Sequence, residues 1–255
     1  MIKVFSFFFT ALLFVYAQKQ QTLVDIYLIG DSTMSTYPDN YYPRMGWGQV
    51  FHTSFKTDKV RVNNEAVSGR STKSYIEEGL WEKVYNNLKK GDFVFIQFGH
   101  NDMVESKEHL YAPPFGAYTD NLHTLIVQTR EKGAKPVLIT PMCRRRFDKD
   151  GNFQVTMGQY PVAMRVLAER ENVPLIDLHK LSCQKFRELG VDKTKDIFLW
   201  LSAGESAKYP ERVEDNTHFQ EQGALLLSKL VAQEIKRLQL GIAPYLKEEM
   251  LNTSD

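Results

Sequence analysis

Cysteine is scarce in this 255-residue chain, which contains only Cys143 and Cys183. Two cysteines without a His-rich spacing beside them argue against a structural zinc site, which normally takes four Cys or His ligands. In an oxidising compartment the two thiols could form a disulfide. Two separate buried thiols are the alternative, and the sequence leaves both interpretations open.

An excess of charge of either sign is also missing. Lysine and arginine together number 32, aspartate and glutamate number 31, and the formal net charge is +1. This balance gives no overall field that would attract nucleic acid or an anionic membrane. Internal repeats, low-complexity segments and Pro/Gly/Ser-rich linkers are absent as well. Hydrophobic residues make up 43% of the chain, which is enough for a substantial core, and we predict a single domain over residues 18–255.

Long hydrophobic runs are limited to the N-terminus, where Val4 to Tyr16 is almost entirely apolar and follows Lys3. This run is too short for a membrane span, which needs about 20 residues. A positive start, an apolar stretch and small residues before a polar segment are the features of a secretory signal peptide. We therefore expect cleavage after Ala17, which removes residues 1–17 and leaves a mature protein without a membrane span. That protein would be exported to the periplasm or the cell exterior, and an uncleaved N-terminal anchor is the alternative.

Beyond the N-terminus, short apolar runs of strand length alternate with segments whose apolar residues have helical spacing. Strands that are apolar throughout and separated by helices indicate a parallel sheet covered on both faces, which is an α/β architecture. The five predicted strands are Val24–Ile29, Val60–Asn63, Phe93–Phe98, Pro136–Thr140 and Pro174–Ile176. Helices are predicted over Trp47–Phe55, Ile76–Leu88, Tyr118–Thr129, Tyr160–Arg170 (with Val162, Val166 and Leu167 inward) and Gln220–Leu240.

Polar blocks follow the first three predicted strands. The first, Gly30-Asp31-Ser32, lies at a carboxyl strand end, where open α/β sheets place their ligand crevices. A serine there can act as a nucleophile if a base and an oxyanion hole are supplied. The same three residues also form an ordinary strand-to-helix turn with a capping residue.

The second and third blocks could supply the oxyanion hole. Gly69, in Ser68-Gly69-Arg70-Ser71, could point its N–H into the cleft or could simply be a turn glycine. Asn101, in Phe98-Gly99-His100-Asn101-Asp102, could donate its side-chain amide to a developing oxyanion. An Asn-Asp turn is the alternative there.

The fourth block, Asp215-Asn216-Thr217-His218, precedes the last predicted helix. An aspartate three residues before a histidine can accept a hydrogen bond from the imidazole and fix its tautomer. A capping aspartate beside a surface histidine is the alternative. None of the other histidines combines an equally placed acid with a matching position near the end of the fold, and His100 could line the crevice but is not expected to act as the base. Together the blocks supply Ser32 as a nucleophile and His218, oriented by Asp215, as its base. They also supply three oxyanion donors, which are the N–H groups of Ser32 and Gly69 and the side-chain amide of Asn101.

Two long polar loops, residues 100–114 and 141–157, leave the carboxyl ends of the third and fourth strands. Long loops in a compact domain are often functional. The second loop contains Arg144-Arg145-Arg146. This run is either a solvated surface segment or a contact surface for an anionic substrate, because arginine binds carboxylates well.

At the four blocks, the sequence resembles the SGNH hydrolases, also called the GDSL esterase/lipase superfamily, over nearly the whole chain after residue 17. The positions that name the superfamily correspond to Ser32, Gly69, Asn101 and His218, with Asp215 as the acid of the triad. The first block reads Gly-Asp-Ser-Thr in place of Gly-Asp-Ser-Leu, which leaves Ser32 unaffected. Six segments further resemble the rhamnogalacturonan acetylesterase branch: Gly30–Met34, Gly46–Gln49, Ser68–Ser71, Gly99–Asp102, Val173–Leu178 and Asp215–Phe219.

The resemblance implies a flavodoxin-like αβα three-layer sandwich. It also implies an esterase that removes O-acetyl groups from rhamnogalacturonan of pectin, a plant cell-wall polysaccharide, through an acyl-enzyme on Ser32. That mechanism requires neither a cofactor nor a metal. Arg70 and His100 are expected as substrate contacts, and Arg70 could equally form a structural ion pair.

The substrate has alternatives, because a fold does not fix a substrate. Acetylated xylan, other acetylated sugars and a lysophospholipase-type lipid ester are the other candidates, and a carbohydrate-binding protein without turnover is the non-enzymatic alternative. No long apolar loop borders the crevice, which favours a short acyl group over a lipid chain. The sequence does not predict the oligomeric state.

Overall fold

The computed structural model describes residues 23–250, and the predicted signal peptide lies outside them. The described chain contains the predicted five-stranded parallel sheet, with the strand order β2-β1-β3-β4-β5. Every strand lies within one residue of its predicted bounds at each end. The strands are β1 Val24–Gly30, β2 Val60–Asn64, β3 Phe93–Gln97, β4 Lys135–Ile139 and β5 Leu175–Ile176.

Helices cover both faces of this sheet. No helix within residues 23–250 combines the length and the apolar character that crossing a membrane requires. The helices are α1 Trp47–Val50, α2 Thr72–Glu77, α3 Leu80–Asn87, α4 Ala117–Glu131, α5 Tyr160–Arg170, α6 Leu178–Lys193 and α7 Glu221–Arg237. Short 3₁₀ turns lie at Asp39–Tyr41, Phe51–Ser54, Ala243–Tyr245 and Glu248–Met250.

Successive residues of β1 enter two separate cores, one on each face of the sheet. Ile26 and Leu28 pack in the core that contains α1, α6 and α7, whereas Tyr27 and Ile29 pack in the core that contains α2 to α5. Side chains alternate between the two faces of a strand, so a sheet covered on both sides needs strands that are apolar throughout. The predicted α/β sandwich with its five-stranded parallel sheet is thereby confirmed.

One predicted helix is divided in two. The apolar spacing from Ile76 to Leu88 predicts a continuous helix, but the chain forms α2 and α3 with Gly79 between them. Gly79 has a φ of +71°, a left-handed conformation that glycine adopts readily and that interrupts a right-handed helix.

The inward face of α5 also differs from the prediction. The helix has the predicted bounds, but Val162 and Val166 are 40% and 52% exposed. Leu167 is buried as predicted. The buried stripe follows the i, i+3, i+4, i+7, i+8 spacing of an amphipathic helix and consists of Tyr160, Ala163, Met164, Leu167 and Ala168.

An antiparallel hairpin that the sequence did not predict stands apart from the main sheet. It pairs β6 Phe198–Leu201 with β7 Val213–Phe219. Helix α6 was not predicted either. The hairpin changes the setting of the fourth polar block, because Asp215 and His218 lie within a strand and α7 begins only at Glu221.

Cys143 and Cys183 form a disulfide. The bond connects the loop that follows β4 to α6 and decides between the two interpretations that the sequence left open. It fixes the start of the Arg144-Arg145-Arg146 run against the body of the domain.

Candidate active site

Ser32 lies in a tight turn directly after β1, at the carboxyl edge of the sheet. Asp31 shapes this turn, because its Oδ1 accepts the N–H and the hydroxyl of Thr33 at 2.9 and 2.8 Å. Gly30 is required before it, since a Cβ at that position would lie 2.6 Å from the carbonyl oxygen of Gln97. The turn leaves Ser32 7% exposed at the rim of the sheet.

A histidine–aspartate pair on β7 faces Ser32. The Nε2 of His218 lies 2.9 Å from the Oγ of Ser32, and its Nδ1 lies 2.6 Å from the Oδ2 of Asp215. The other carboxylate oxygen of Asp215 accepts the backbone N–H groups of Thr217 and His218 at 2.8 and 3.0 Å, which fixes its orientation. A hydroxyl, an imidazole and a carboxylate in this order can carry a proton away from the serine.

The carboxyl group of Asp215 is ionised at neutral pH. Burial raises its pKa, but the hydrogen bond and charge of His218 and two backbone N–H groups outweigh burial and hold the pKa at about 2. Because folding lowers this pKa from 3.8, the ionised group stabilises the fold above about pH 4, and its contribution is lost as the pH falls towards 2. An ionised carboxylate keeps a proton on Nδ1 and leaves Nε2 free to accept one from Ser32.

The predicted oxyanion donors belong to two segments that are bonded to each other. Gly69 has a φ of +80°, which places it in a turn that other residues adopt only with strain. The Nδ2 of Asn101 donates to the carbonyl oxygen of Arg70 at 2.9 Å, and its second hydrogen remains for a ligand. Nearby, the Oδ1 of Asp102 accepts the N–H and the hydroxyl of Thr72 at 2.9 and 2.6 Å. These bonds hold the two segments in register, as a preorganised oxyanion hole requires.

The two residues that were expected to contact the substrate, Arg70 and His100, both pair with carboxylates of the protein itself. Arg70 forms an ion pair with Glu78 at 2.9 Å, which is the structural alternative for this residue. His100 is only 3% exposed, and its Nδ1 lies 3.1 Å from the Oδ2 of the buried Asp31. The carboxylate that precedes Ser32 thus holds the imidazole of His100 inside the domain, and contact of His100 with a substrate stays a prediction.

The arginine run after β4 divides into three environments. Arg145 is buried, and its guanidinium stacks 4.3 Å from the ring of Trp200 and donates to the Oδ1 of Asn216 at 3.1 Å. Arg146 is exposed. Arg144 is half-buried, and its Nη2 donates to the carbonyl oxygen of His100 at 3.2 Å. Only Arg144 of the three therefore lies beside the residue that precedes Asn101.

Sequence reasoning missed Tyr37, which supports the serine directly. Its hydroxyl donates to the carbonyl oxygen of Ser32 at 2.8 Å, and the guanidinium of Arg44 lies 4.6 Å from the centre of its ring. Both residues lie in the loop between β1 and α1. That loop has no apolar period and no motif of charged residues, so nothing in the sequence indicated that it borders the site.

The fold and the geometry of Ser32, His218 and Asp215 are those of an α/β serine hydrolase. The sequence matches the GDSL-like lipase/acylhydrolase family over residues 28–225, and the chain belongs to that family. It is 40% identical over 223 residues to the rhamnogalacturonan acetylesterase RhgT of Bacillus subtilis (strain 168), covering 88% of this chain and 94% of the relative. It is 30% identical over 195 residues to a rhamnogalacturonan acetylesterase of Emericella nidulans, covering 68% of this chain and 74% of the relative.

Solved structures give the same fold. The crystal structure of Bacillus subtilis YxiM has a TM-score of 0.71 and 28% identity, covering 86% of this chain and 58% of that longer one. The acetylxylan esterase Axe2 of Geobacillus stearothermophilus has a TM-score of 0.60 at 19% identity, covering 85% of this chain and 96% of that one. At that identity the likeness concerns the fold alone. The sequence relatives confirm the resemblance to the rhamnogalacturonan acetylesterase branch.

Replacing Asn101 by alanine tests its predicted role. We expect kcat for acetyl-ester hydrolysis to fall by about 10²–10³-fold with KM little changed, because an oxyanion donor binds mainly the transition state. The measurement is steady-state kinetics on p-nitrophenyl acetate. Asn87→Ala on the exposed side of α3 is the matched control, since Asn87 donates only to the carbonyl of Lys83. A fall in kcat of less than about threefold for Asn101→Ala would remove this residue from the oxyanion hole.

Proposed function

We propose that this protein is a carbohydrate esterase that removes O-acetyl groups from rhamnogalacturonan, with Ser32 as its nucleophile. The observation that carries the proposal is the chain of short contacts from Ser32 through His218 to Asp215. The substrate is supported by the relatives named rhamnogalacturonan acetylesterase, which share up to 40% of their residues with this chain.

In the acylation half, the Oγ of Ser32 attacks the acetyl carbonyl carbon while Nε2 of His218 takes its proton. The carbonyl electrons move to oxygen, and this oxyanion accepts hydrogen bonds from the backbone N–H groups of Ser32 and Gly69 and from the amide of Asn101. The bond to the sugar oxygen then breaks. That oxygen takes the proton from His218 and leaves as a free sugar hydroxyl, and the acetyl group remains on Ser32.

In the deacylation half, water takes the place of the serine hydroxyl. His218 removes a proton from the water as its oxygen attacks the acetyl carbonyl, and the same donors hold the second oxyanion. Collapse breaks the bond to Ser32, which recovers its proton from His218, and acetate departs. Throughout both halves Asp215 stabilises the imidazolium and keeps its ring in place.

A short acyl group on a polar sugar fits the walls of this site. Beside the site, the loop after β4 contributes Arg144, whose Nη2 donates to the carbonyl oxygen of His100, and the loop after β1 contributes Arg44, which stacks on Tyr37. A lipid ester needs an extended apolar channel for its chain, and burying that chain against charged side chains is unfavourable. The polar walls therefore support an acetyl sugar ester over a lysophospholipid.

The proposal predicts a substrate order. Acetate release should be faster from acetylated rhamnogalacturonan than from acetylated xylan, and p-nitrophenyl esters should become poorer substrates as the acyl chain lengthens. The measurement is initial acetate release at matched acetyl concentrations, with Ser32→Ala as the blank. A preference for xylan would contradict the pectic substrate, and activity that rises beyond butyrate would indicate a lipid esterase. Absence of turnover on every ester would leave only a binding function.

A further inference from the structure

Two arginines beside the site differ from the other arginines of the described chain. Among the arginines of residues 23–250, only Arg44 and Arg144 have a buried Nε without a hydrogen-bond partner, and neither of them forms an ion pair with a carboxylate. A guanidinium that is partly withdrawn from water but not paired with an anion is unfavourable unless a ligand supplies the anion. The arginines that do form ion pairs in this part of the chain are Arg61, Arg70, Arg165, Arg170, Arg212 and Arg237.

Arg144 is held rigidly next to the oxyanion segment. Its backbone N–H donates to the hydroxyl of Thr156 at 2.8 Å, and its neighbour Cys143 is in the disulfide. Its Nη2 donates to the carbonyl oxygen of His100, the residue before Asn101. Burial lowers the pKa of Arg144 and the charges of Asp31 and Asp215 raise it, so the guanidinium lies within electrostatic range of the triad.

Arg44 approaches the serine from a different loop. It stacks on Tyr37, whose hydroxyl holds the carbonyl oxygen of Ser32. Arg44 precedes α1, next to β1, whereas Arg144 follows β4, and β3 lies between those two strands in the sheet. The two cations therefore come from loops that follow different strands, Arg44 by way of Tyr37 and Arg144 by way of the carbonyl oxygen of His100.

We propose that Arg144, with Arg44 as a second contact, determines substrate specificity by binding carboxylates of a uronate-containing polysaccharide while its acetyl ester lies at Ser32. This inference rests on the proposed function and adds the residues that select the polymer. A guanidinium binds a carboxylate through paired N–H donors, and the interaction is strongest where water is already partly excluded. A neutral chain such as xylan offers no such group and would leave both arginines unpaired.

If Arg144 had a purely electrostatic role, its removal would affect the three esters differently from the loss of a carboxylate contact. If its charge only balanced Asp31 and Asp215, its removal would lower turnover of every ester by a similar factor. If it binds a substrate carboxylate, the loss is selective and appears mainly in KM, because that contact is present in both the ground state and the transition state.

The test compares Arg144→Gln and Arg44→Gln with the wild type on three substrates: acetylated rhamnogalacturonan oligosaccharides, acetylated xylo-oligosaccharides and p-nitrophenyl acetate. For Arg144→Gln we expect kcat/KM on the uronate substrate to fall by roughly 10–100-fold more than on either uncharged ester. Arg44→Gln should show a smaller loss of the same kind. Arg146→Gln, which removes an exposed cation from the same loop, should leave the ratio between substrates unchanged. Arg144→Lys should recover part of the loss, since it restores charge without the paired donors.

A binding measurement gives a second readout. Unacetylated oligogalacturonate should inhibit p-nitrophenyl acetate hydrolysis by the wild type, with an inhibition constant that rises with added salt. That salt dependence should be weaker in Arg144→Gln, and if this variant does not fold, Arg44→Gln and the wild-type inhibition decide the matter. Equal losses on all three substrates, or no inhibition by oligogalacturonate, would overturn the inference while leaving an esterase. A wild type that releases no acetate from either oligosaccharide would instead overturn the proposed function.

Discussion

Replacing Ser32 by alanine is expected to lower kcat for acetyl-ester hydrolysis by about 10⁵–10⁶-fold. Without the hydroxyl, His218 has no group to deprotonate at 2.9 Å, and the covalent route through an acetyl-enzyme is closed. The oxyanion donors and the Asp215–His218 pair remain, so the variant retains only the modest acceleration of water attack that such groups provide. The measurement is the initial rate of acetate release from p-nitrophenyl acetate.

The Ser32→Ala result needs proof that the fold survives. Alanine occupies less volume than serine in the turn, and the bonds between Asp31 and Thr33 do not involve the lost hydroxyl. Far-UV circular dichroism and the thermal unfolding midpoint should therefore stay close to those of the wild type. Ser68→Ala is the matched control, because it removes a nearby hydroxyl whose contact with Tyr37 is long at 3.5 Å. Wild-type turnover by Ser32→Ala would refute the proposed nucleophile.

The main sheet could be predicted from the sequence because strands that are buried on both faces consist mainly of apolar residues. Residues of β1 and β3 alternate between two cores, so β1 is apolar from Ile26 to Ile29 and β3 is apolar from Phe93 to Ile96. Such runs end where the chain reaches solvent, and a polar residue at the carboxyl end marks that point. In a parallel sheet all these ends lie at one edge, which is why Ser32, Gly69 and Asn101 could be placed together from their order alone.

The position of the acid and base could not be derived in this way. Asp215 and His218 lie on β7, whose residues are mostly polar and only partly buried, so the strand lacks an apolar pattern. Its pairing with β6 is a contact between segments that are separated by a polar loop, and no local signal in either segment specifies it. Their spacing indicated that the two side chains could meet, but not that a strand would carry them.

The site contains a second aspartate–histidine pair, which the sequence did not indicate because its two members are 69 residues apart. His100 and Asp31 lie in sequence blocks that both border Ser32, and their side chains are 3.1 Å apart. Burial separates the two pairs: the His100 side chain is 3% exposed, whereas the His218 side chain is 19% exposed and reaches the serine hydroxyl. The buried pair therefore fixes the turn that presents Ser32, and the open pair is the one that a substrate can approach.

Replacing Asp215 by asparagine is expected to lower kcat by about 10⁴-fold without disrupting the strand. The backbone N–H groups of Thr217 and His218 both donate to Oδ1, so the amide oxygen of the new side chain must occupy that position. The amide nitrogen then faces Nδ1 of His218 and donates a hydrogen bond to it. Nδ1 becomes an acceptor, the imidazole proton moves to Nε2, and Nε2 can no longer take the proton of Ser32.

A second substitution on β7 separates the loss of the correct histidine tautomer from a simple loss of charge. Glu214→Gln, the neighbouring change on β7, removes one negative charge from an exposed side chain and should leave kcat within about twofold of the wild type. Asp215→Asn should therefore differ from it by several orders of magnitude in p-nitrophenyl acetate hydrolysis, although both substitutions alter the net charge equally. A kcat for Asp215→Asn within about twofold of the wild type would contradict this prediction, because neither the charge of Asp215 nor its hydrogen bond to His218 would then contribute to the reaction.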